Sequence, residues 1–79
     1  MNDMNPQFTP IRHAIDSASG IPRYMQLAKA IQRLIETQIV MPGDQLPSTI
    51  DLAQLAGVDI GTVGKAMGLL VDQNLVIRR

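Results

Sequence analysis

The sequence predicts a mainly α fold: three helices followed by a short C-terminal strand, with an extra short helix at the N-terminal end. Two observations lead to this prediction. Apolar residues recur at the i, i+3, i+4 and i+7 spacing of an amphipathic helix in successive segments, and glycine and proline separate those segments. With 79 residues, the chain is long enough for one small domain, which buries about 60% of its unfolded surface.

The composition narrows the class of protein. There is no cysteine, which excludes disulfides and thiolate metal sites, and the single histidine, His13, is expected to be solvated or packed rather than to bind metal. No cofactor is expected. The chain has no run of about 18 apolar residues and no signal peptide, so we expect a soluble protein in the cytoplasm. Seven basic and seven acidic residues give zero net charge, which is unhelpful to a nucleic-acid binder but does not exclude one.

Residues 1–20 are expected to form an N-terminal tail with a short helix. Residues 1–8 are polar and indicate a loose tail. Beyond them, Thr9 is a candidate N-cap, Pro10 suits the first helical position, and Gly20 suits the end of the helix. One face of this helix is apolar and is suited to packing onto the domain or onto a second copy; it consists of Ile11, Ala14, Ile15 and Ala18.

The segment from residue 22 to residue 40 predicts the first long helix of a domain that spans residues 21–79. Its apolar residues follow the helical spacing, and its basic residues Arg23, Lys29 and Arg33 lie away from that stripe as a solvated face. The predicted stripe consists of Tyr24, Leu27, Ala28, Ile31, Leu34 and Ile35.

A loop containing proline and glycine leads from this helix to the next. Pro42 and Gly43 are expected to end the first helix, and Leu46 is an apolar anchor suited to a very short strand. Ser48 is the predicted N-cap of the second helix, with Asp51 in place of the usual capping-box glutamate. The apolar residues of that helix are Ile50, Leu52, Ala53, Leu55 and Ala56.

The third helix is expected to begin after Asp59, its candidate N-cap, and to end near Asn74. Gly57 precedes it and suits a left-handed residue at the end of the second helix. After the third helix, residues 75–79 form an apolar-to-basic run that predicts a single strand. The apolar face of the third helix consists of Val63, Ala66, Met67, Leu70 and Val71.

Two short helices joined by a tight turn make up the helix-turn-helix unit, whose second helix can enter the major groove of DNA. This unit needs a small residue where the helices cross, a left-handed residue in the turn and an apolar plug from the second helix. Ala53, Gly57 and Val63 have the required spacing. The strand that follows predicts a winged variant. A generic three-helix bundle is the alternative, because the same three residues would also pack in one.

The run 42-PGDQLPSTIDLAQLAGVDIGTVGKAMGLLVDQNLVIRR-79 and the preceding 22-PRYMQLAKAIQRLIETQIV-40 resemble the winged helix-turn-helix domain of the GntR family of bacterial transcriptional regulators. The resemblance is carried by PGDQLPS, by L-A-x-x-x-G-V and by the closing L-x-x-x-x-L-V. It implies operator DNA binding, usually as a dimer on a palindromic site, with a separate domain that senses a metabolite. Because the sequence stops after one predicted wing strand, we expect a minimal or truncated β-wing and no effector domain in this chain.

The chain departs from the family pattern where the family usually carries arginine. Ile50 follows the LPS serine by two residues, Ile60 follows Asp59 at the start of the third helix, and Gly64 follows Val63. The resemblance implies that the missing arginines contact phosphate and guanine, for which their planar fork of donors is suited. Isoleucine and glycine have no side-chain donor, so weak DNA binding is expected.

The candidate DNA contacts are therefore few. Ser48 could donate to a phosphate or only cap its helix, and the Gly61 backbone could approach DNA closely where a side chain would obstruct. Thr62 and Lys65 lie on the third helix, although Lys65 could simply be solvated. With two or three phosphates neutralised per copy, a homodimer or a heteromeric regulator partner would be needed. The full set is Ser48, Gly61, Thr62, Lys65, Arg78 and Arg79.

A protein-interaction regulator is the alternative hypothesis. Three glycines weaken the third helix, each by about 1 kcal/mol relative to alanine. Gly64 and Gly68 form a small-xxx-small pattern that lets another helix approach, and Ile50 and Ile60 would add apolar area. Such a protein would keep the fold and act as an antagonist or co-regulator. An enzyme is not expected, since no paired carboxylates, nucleophile-base pair or phosphate-binding loop occurs.

Overall fold

The computed structural model describes residues 6–41 and 46–74 of the chain. These residues contain four helical segments. They are a 3₁₀ helix (Pro6–His13), α1 (Arg23–Glu36), α2 (Thr49–Ala56) and α3 (Ile60–Asp72). The mainly α fold class is confirmed. The predicted strand over residues 75–79 and the Pro42-Gly43 turn lie outside the described residues, and residues 46–48 form no strand.

The helix α1 is central to the fold because it packs against both α3 and the 3₁₀ helix. The predicted apolar stripe is confirmed: four of its six members are buried, while Tyr24 and Ile35 are half-buried against the core. The basic residues expected on the solvated face are exposed. The buried members of the stripe are Leu27, Ala28, Ile31 and Leu34.

The end of α1 differs from the prediction. The helix stops at Glu36 rather than continuing to residue 40, because Gln38 adopts a left-handed backbone with φ +63°. The N–H of Val40 then bonds to the carbonyl of Leu34 at 3.0 Å, and the Val40 side chain is buried. The chain therefore folds back over its own last turn, before the Pro42-Gly43 pair that was expected to end the helix.

The N-terminal segment also differs from the prediction. Its helix spans residues 6–13 rather than beginning at Thr9 and ending at Gly20, and it is a 3₁₀ helix with Pro10 inside it. A proline within an α-helix clashes with the carbonyl four residues earlier, whereas a short 3₁₀ helix closes i to i+3 and accommodates it. Ala18 is exposed, so it does not belong to the packed face.

The interpretation of residues 1–8 as a loose tail is wrong for Phe8, which is 1% exposed. Phe8 and Ile11 project from the 3₁₀ helix, which contacts both α1 and α2. Burying a side chain of this size contributes about 1.5–3 kcal/mol. The 3₁₀ helix is therefore part of the hydrophobic core.

The turn between the 3₁₀ helix and α1 is held by the side-chain amide of Gln26. Its oxygen accepts from the N–H of Asp16 at 2.7 Å, and its nitrogen donates to the carbonyl of Ile21 at 2.7 Å. The same nitrogen lies 3.1 Å from the carbonyl of Asp16 and 3.1 Å from the hydroxyl of Ser19. One side chain thus ties four backbone or side-chain groups of this turn to α1.

The third helix covers the remaining side of the core, against α1 and α2. Its predicted apolar face is confirmed, with Val63, Ala66 and Leu70 fully buried. It ends at Asp72, and Asn74 follows with a left-handed φ of +61°, which agrees with the predicted end. The seven largest fully buried side chains of the described residues are Phe8, Ile11, Leu27, Ile31, Leu52, Val63 and Leu70.

Candidate nucleic-acid interface

The helix α2 begins with the cap that the sequence predicts. The Ser48 side chain accepts from the N–H of Asp51 at 3.1 Å, and Ser48 itself has an extended backbone. This cap uses the hydroxyl oxygen only as an acceptor. The hydroxyl proton of Ser48 is therefore not consumed by the cap and can be donated to an oxygen outside the helix.

The turn between α2 and α3 has the three features that a helix-turn-helix requires. Gly57 is left-handed with φ +73°, and its N–H and that of Val58 both bond to the carbonyl of Ala53, at 2.9 and 3.0 Å. Ala53 is 7% exposed where the helices pack, and Val63 from α3 is fully buried. The predicted roles of Ala53, Gly57 and Val63 are confirmed. Only a left-handed residue reverses the chain this tightly, which suits glycine.

The first turn of α3 is organised by Asp59 and Thr62. Asp59 occupies the predicted N-cap position, but its carboxylate accepts from the Thr62 hydroxyl rather than from a backbone N–H. This hydrogen bond is the largest cause that lowers the pKa of the Asp59 carboxyl below its ordinary value of 3.8. The proton of Thr62 is directed at this carboxylate and is not available to another acceptor. Thr62 can offer DNA its oxygen as an acceptor or its methyl group, but not a donor.

The outward side of α3 carries little side chain. Gly61 and Gly64 are exposed, and a Cβ at Gly64 would meet nothing within 4 Å. A Cβ at Gly61 would lie 3.1 Å from Oδ2 of Asp59, so a side chain there would crowd the carboxylate. Gly68 is half-buried, which leaves only part of the predicted Gly64-x-x-x-Gly68 groove open. Beside these glycines, Ile60 is 56% exposed.

Lys65 is exposed, and its ammonium group lies 5.6 Å from the centre of the Tyr24 ring on α1. At this distance the ring attracts the cation by about 0.5–1 kcal/mol at an exposed site. The contact draws the ammonium group of Lys65 toward α1. A phosphate contact by Lys65 would have to compete with this weak attraction.

The sequence profile described as "Bacterial regulatory proteins, gntR family" matches residues 23–79, which include α1, α2 and α3. The chain belongs to the GntR family.

Two curated proteins of Escherichia coli K12 are similar to this GntR-family chain. It is 40% identical to YdcR, an uncharacterized HTH-type transcriptional regulator, over 57 residues. These residues make up 72% of the chain and 12% of YdcR. It is 32% identical to the HTH-type transcriptional regulator GgaR over 68 residues. These residues make up 86% of the chain and 27% of GgaR. The chain thus spans a minor part of the length of these relatives. No solved structure matches it significantly.

The match over residues 23–79 and the two relatives confirm the expected resemblance to GntR-type transcriptional regulators. No helix within residues 6–41 and 46–74 is both long and apolar enough to cross a membrane. Within the same ranges, no three acidic or histidine side chains are grouped as metal ligands.

The GntR fold brings some of the predicted site residues together and leaves others apart. Gly61, Thr62 and Lys65 share α3, and Ser48 lies at the start of α2. Arg78 and Arg79, the expected wing contacts, lie outside the described residues. Two features were missed by the sequence interpretation. The Asp59–Thr62 bond has a local signal in the spacing of Asp and Thr around the helix start, whereas the Lys65–Tyr24 contact joins distant segments and has none.

Proposed function

We propose that this chain regulates transcription by binding double-stranded DNA through α2 and α3. The observation that carries the proposal is the turn at Gly57, whose left-handed backbone sets the two helices in the helix-turn-helix arrangement over a plug formed by Val63. In that arrangement the N-terminal residues of the second helix meet base edges in the major groove. The beginning of α3 is exposed at Ile60 and Gly61, as this mode of binding requires.

The contacts to phosphate are assigned to Ser48, through its free hydroxyl proton, and to Lys65. Arg78 and Arg79 would add two charges from the wing side. Proteins that make 6–10 phosphate contacts depend steeply on salt, and one copy of this chain offers fewer. The proposal therefore includes a dimer, or a heteromeric partner, on the operator. It places the protein in the bacterial cytoplasm, where its DNA is.

The direct test is a fluorescence-polarisation titration of the chain against the promoter of its own gene, at about 50 mM and about 200 mM salt. We expect saturable binding at the lower salt and a clear loss of affinity at the higher. A scrambled duplex of the same composition is the control for specificity. Absence of binding at low salt would contradict the proposal.

A protein-interaction regulator is the second candidate, favoured by the exposed apolar side chains at the start of both helices. Ile50 and Ile60 are each 56% exposed, and the position of Gly64 is open beside α3. A partner helix could pack on this surface, and the chain would then act as an antagonist or co-regulator. This candidate predicts that the DNA titration fails while the domain remains folded.

A gain-of-function variant separates the two candidates further. Ile60→Arg and Gly64→Arg together would restore long donors on α3, and the open space at Gly64 accommodates a side chain. If the scaffold is able to dock on DNA, the double variant binds more tightly than the parent chain. Tighter binding by a control pair outside α2 and α3, Gln32→Arg with Gln38→Arg, would show that added charge alone is responsible.

A further inference from the structure

The beginning of α3 has an unusual combination of side chains for a DNA-binding surface. Ile60, the first residue of the helix, is 56% exposed, and the glycines at positions 61 and 64 add no side chain beside it. The nearby polar groups are Asp59, which is an ionised acceptor, and Thr62, whose hydroxyl donates its hydrogen bond to Asp59. This surface therefore offers one apolar group and several acceptors, but no side-chain donor in its first turn.

The chemistry of the major groove determines which base suits such a surface. Guanine presents two acceptors, N7 and O6, which would face the Asp59 carboxylate without a side-chain donor to satisfy them. Thymine presents a C5-methyl group, the one apolar group on the groove edge, and an aliphatic side chain complements it. Adenine and cytosine present an amino group that can donate a hydrogen bond to a carboxylate.

We propose that Ile60 reads the C5-methyl group of a thymine in the operator, and that Asp59 disfavours guanine at the same place. This inference rests on the proposed DNA-binding function and gives it a specificity. In this inference the aliphatic side chain of Ile60 selects the base pair. It also gives the glycines a role, since the absence of side chains at positions 61 and 64 lets the helix approach the groove closely enough for a methyl contact.

The position of Ile50 supplies a matched control. Ile50 is the same residue type with the same 56% exposure, but it lies in the first turn of α2. The first helix of the unit crosses the sugar-phosphate backbone and does not enter the groove. Shortening Ile50 is therefore expected to leave base discrimination unchanged.

The experiment begins with selection of duplexes from a library with a random core of about 20 base pairs, two turns of DNA. The enriched duplex is then synthesised with each thymine in turn replaced by uracil, which removes only the methyl group. We expect one position in a half-site at which uracil weakens binding about fourfold, the value of one buried methyl-sized group. Ile60→Ala abolishes that difference, Ile60→Val retains most of it, and Ile50→Ala retains all of it.

The outcomes separate the inference from the proposed function. If no duplex is enriched or bound at low salt, DNA binding itself fails. If a duplex is bound but uracil substitution has no effect at any position, or Ile60→Ala keeps the discrimination, the inference fails while DNA binding stands. Circular dichroism of Ile60→Ala and Ile50→Ala confirms that both remain folded, as their exposure leads us to expect.

Discussion

The hydroxyl of Thr62 donates a hydrogen bond to the carboxylate of Asp59 across the first turn of α3. This bond favours the ionised form of Asp59 and lowers the pKa of its carboxyl. It also fixes the direction of the Thr62 proton. The two residues together make the beginning of the helix negative and rich in acceptors.

The first prediction is that Thr62→Val raises the pKa of Asp59 toward its ordinary value of 3.8. Since the folded pKa of the parent is depressed, the stabilising contribution of this carboxylate is present above the unfolded value and is lost as the pH falls through the folded value. The stability difference between the parent and Thr62→Val should therefore be larger at neutral pH than in strong acid. Carbon-detected NMR titration of Asp59 and urea unfolding at both pH values measure these effects.

Thr62→Ser is the matched control for this prediction, because it keeps the hydroxyl and removes only the methyl group. Its Asp59 titration should remain close to that of the parent. An unchanged Asp59 pKa in Thr62→Val would show that the hydrogen bond is not what lowers it.

The second prediction contrasts two glycines. Gly57→Ala is expected to destabilise the domain by about 1–2 kcal/mol, because alanine is strained at φ +73°. Gly64→Ala is expected to stabilise it by about 1 kcal/mol, since the Cβ meets nothing within 4 Å and alanine favours the helix. Urea unfolding of both variants gives the free energies. Effects of the same sign would contradict this assignment.

Gly61 provides an intermediate case within the same helix. Alanine there gains the same helical preference, but its Cβ would lie 3.1 Å from Oδ2 of Asp59. We therefore expect a smaller gain than at Gly64. A gain equal to that of Gly64→Ala would show that the carboxylate moves aside freely.

The third prediction separates the two roles assigned to Ser48. Ser48→Ala removes the cap and should cost about 1 kcal/mol of stability. Ser48→Gly has no side-chain donor, and because glycine is tolerated at an N-cap it should cost only a few tenths of a kcal/mol in urea unfolding. DNA affinity then distinguishes the roles: a clear loss in Ser48→Gly indicates a phosphate contact, whereas no loss in Ser48→Gly shows that Ser48 only caps α2.

The fourth prediction concerns Lys65 and the salt dependence of DNA binding. If Lys65 neutralises one phosphate, Lys65→Gln should reduce the slope of log affinity against log salt by about 1. Lys29 is the control, because it is an exposed lysine on α1, outside the helix-turn-helix unit formed by α2 and α3. Equal changes of slope in Lys65→Gln and Lys29→Gln would contradict a specific contact.

The helices of the domain were predictable because their signals are local. The stripe of α1, the Ser48 cap and the left-handed Gly57 each depend on residues within a few positions of one another, and the structure has all three. The end of α1 was not predictable in this way. It depends on Val40 folding back to a buried position against the core, which is a tertiary effect that overrides the continuing apolar pattern.

The candidate site shows the same division. That α3 would present Ile60 and Gly64 to solvent follows from helical periodicity, and both are exposed. The position of the Lys65 ammonium over the Tyr24 ring required the packing of α3 on α1, which no local pattern encodes. Nor did the polar composition of residues 1–8 indicate that Phe8 would be among the most deeply buried side chains.

The burial of Phe8 has a practical consequence for anyone who transplants this domain. The family profile begins at residue 23, and a fusion protein cut there would omit both Phe8 and Ile11. Without these two side chains, the core side chains of α1 and α2 that pack against the 3₁₀ helix would be exposed to solvent. The exposed leucines and isoleucines would favour aggregation. A chimeric regulator or a hybrid screen should therefore include the chain from its first residues, so that α3 is tested in a domain with an intact core.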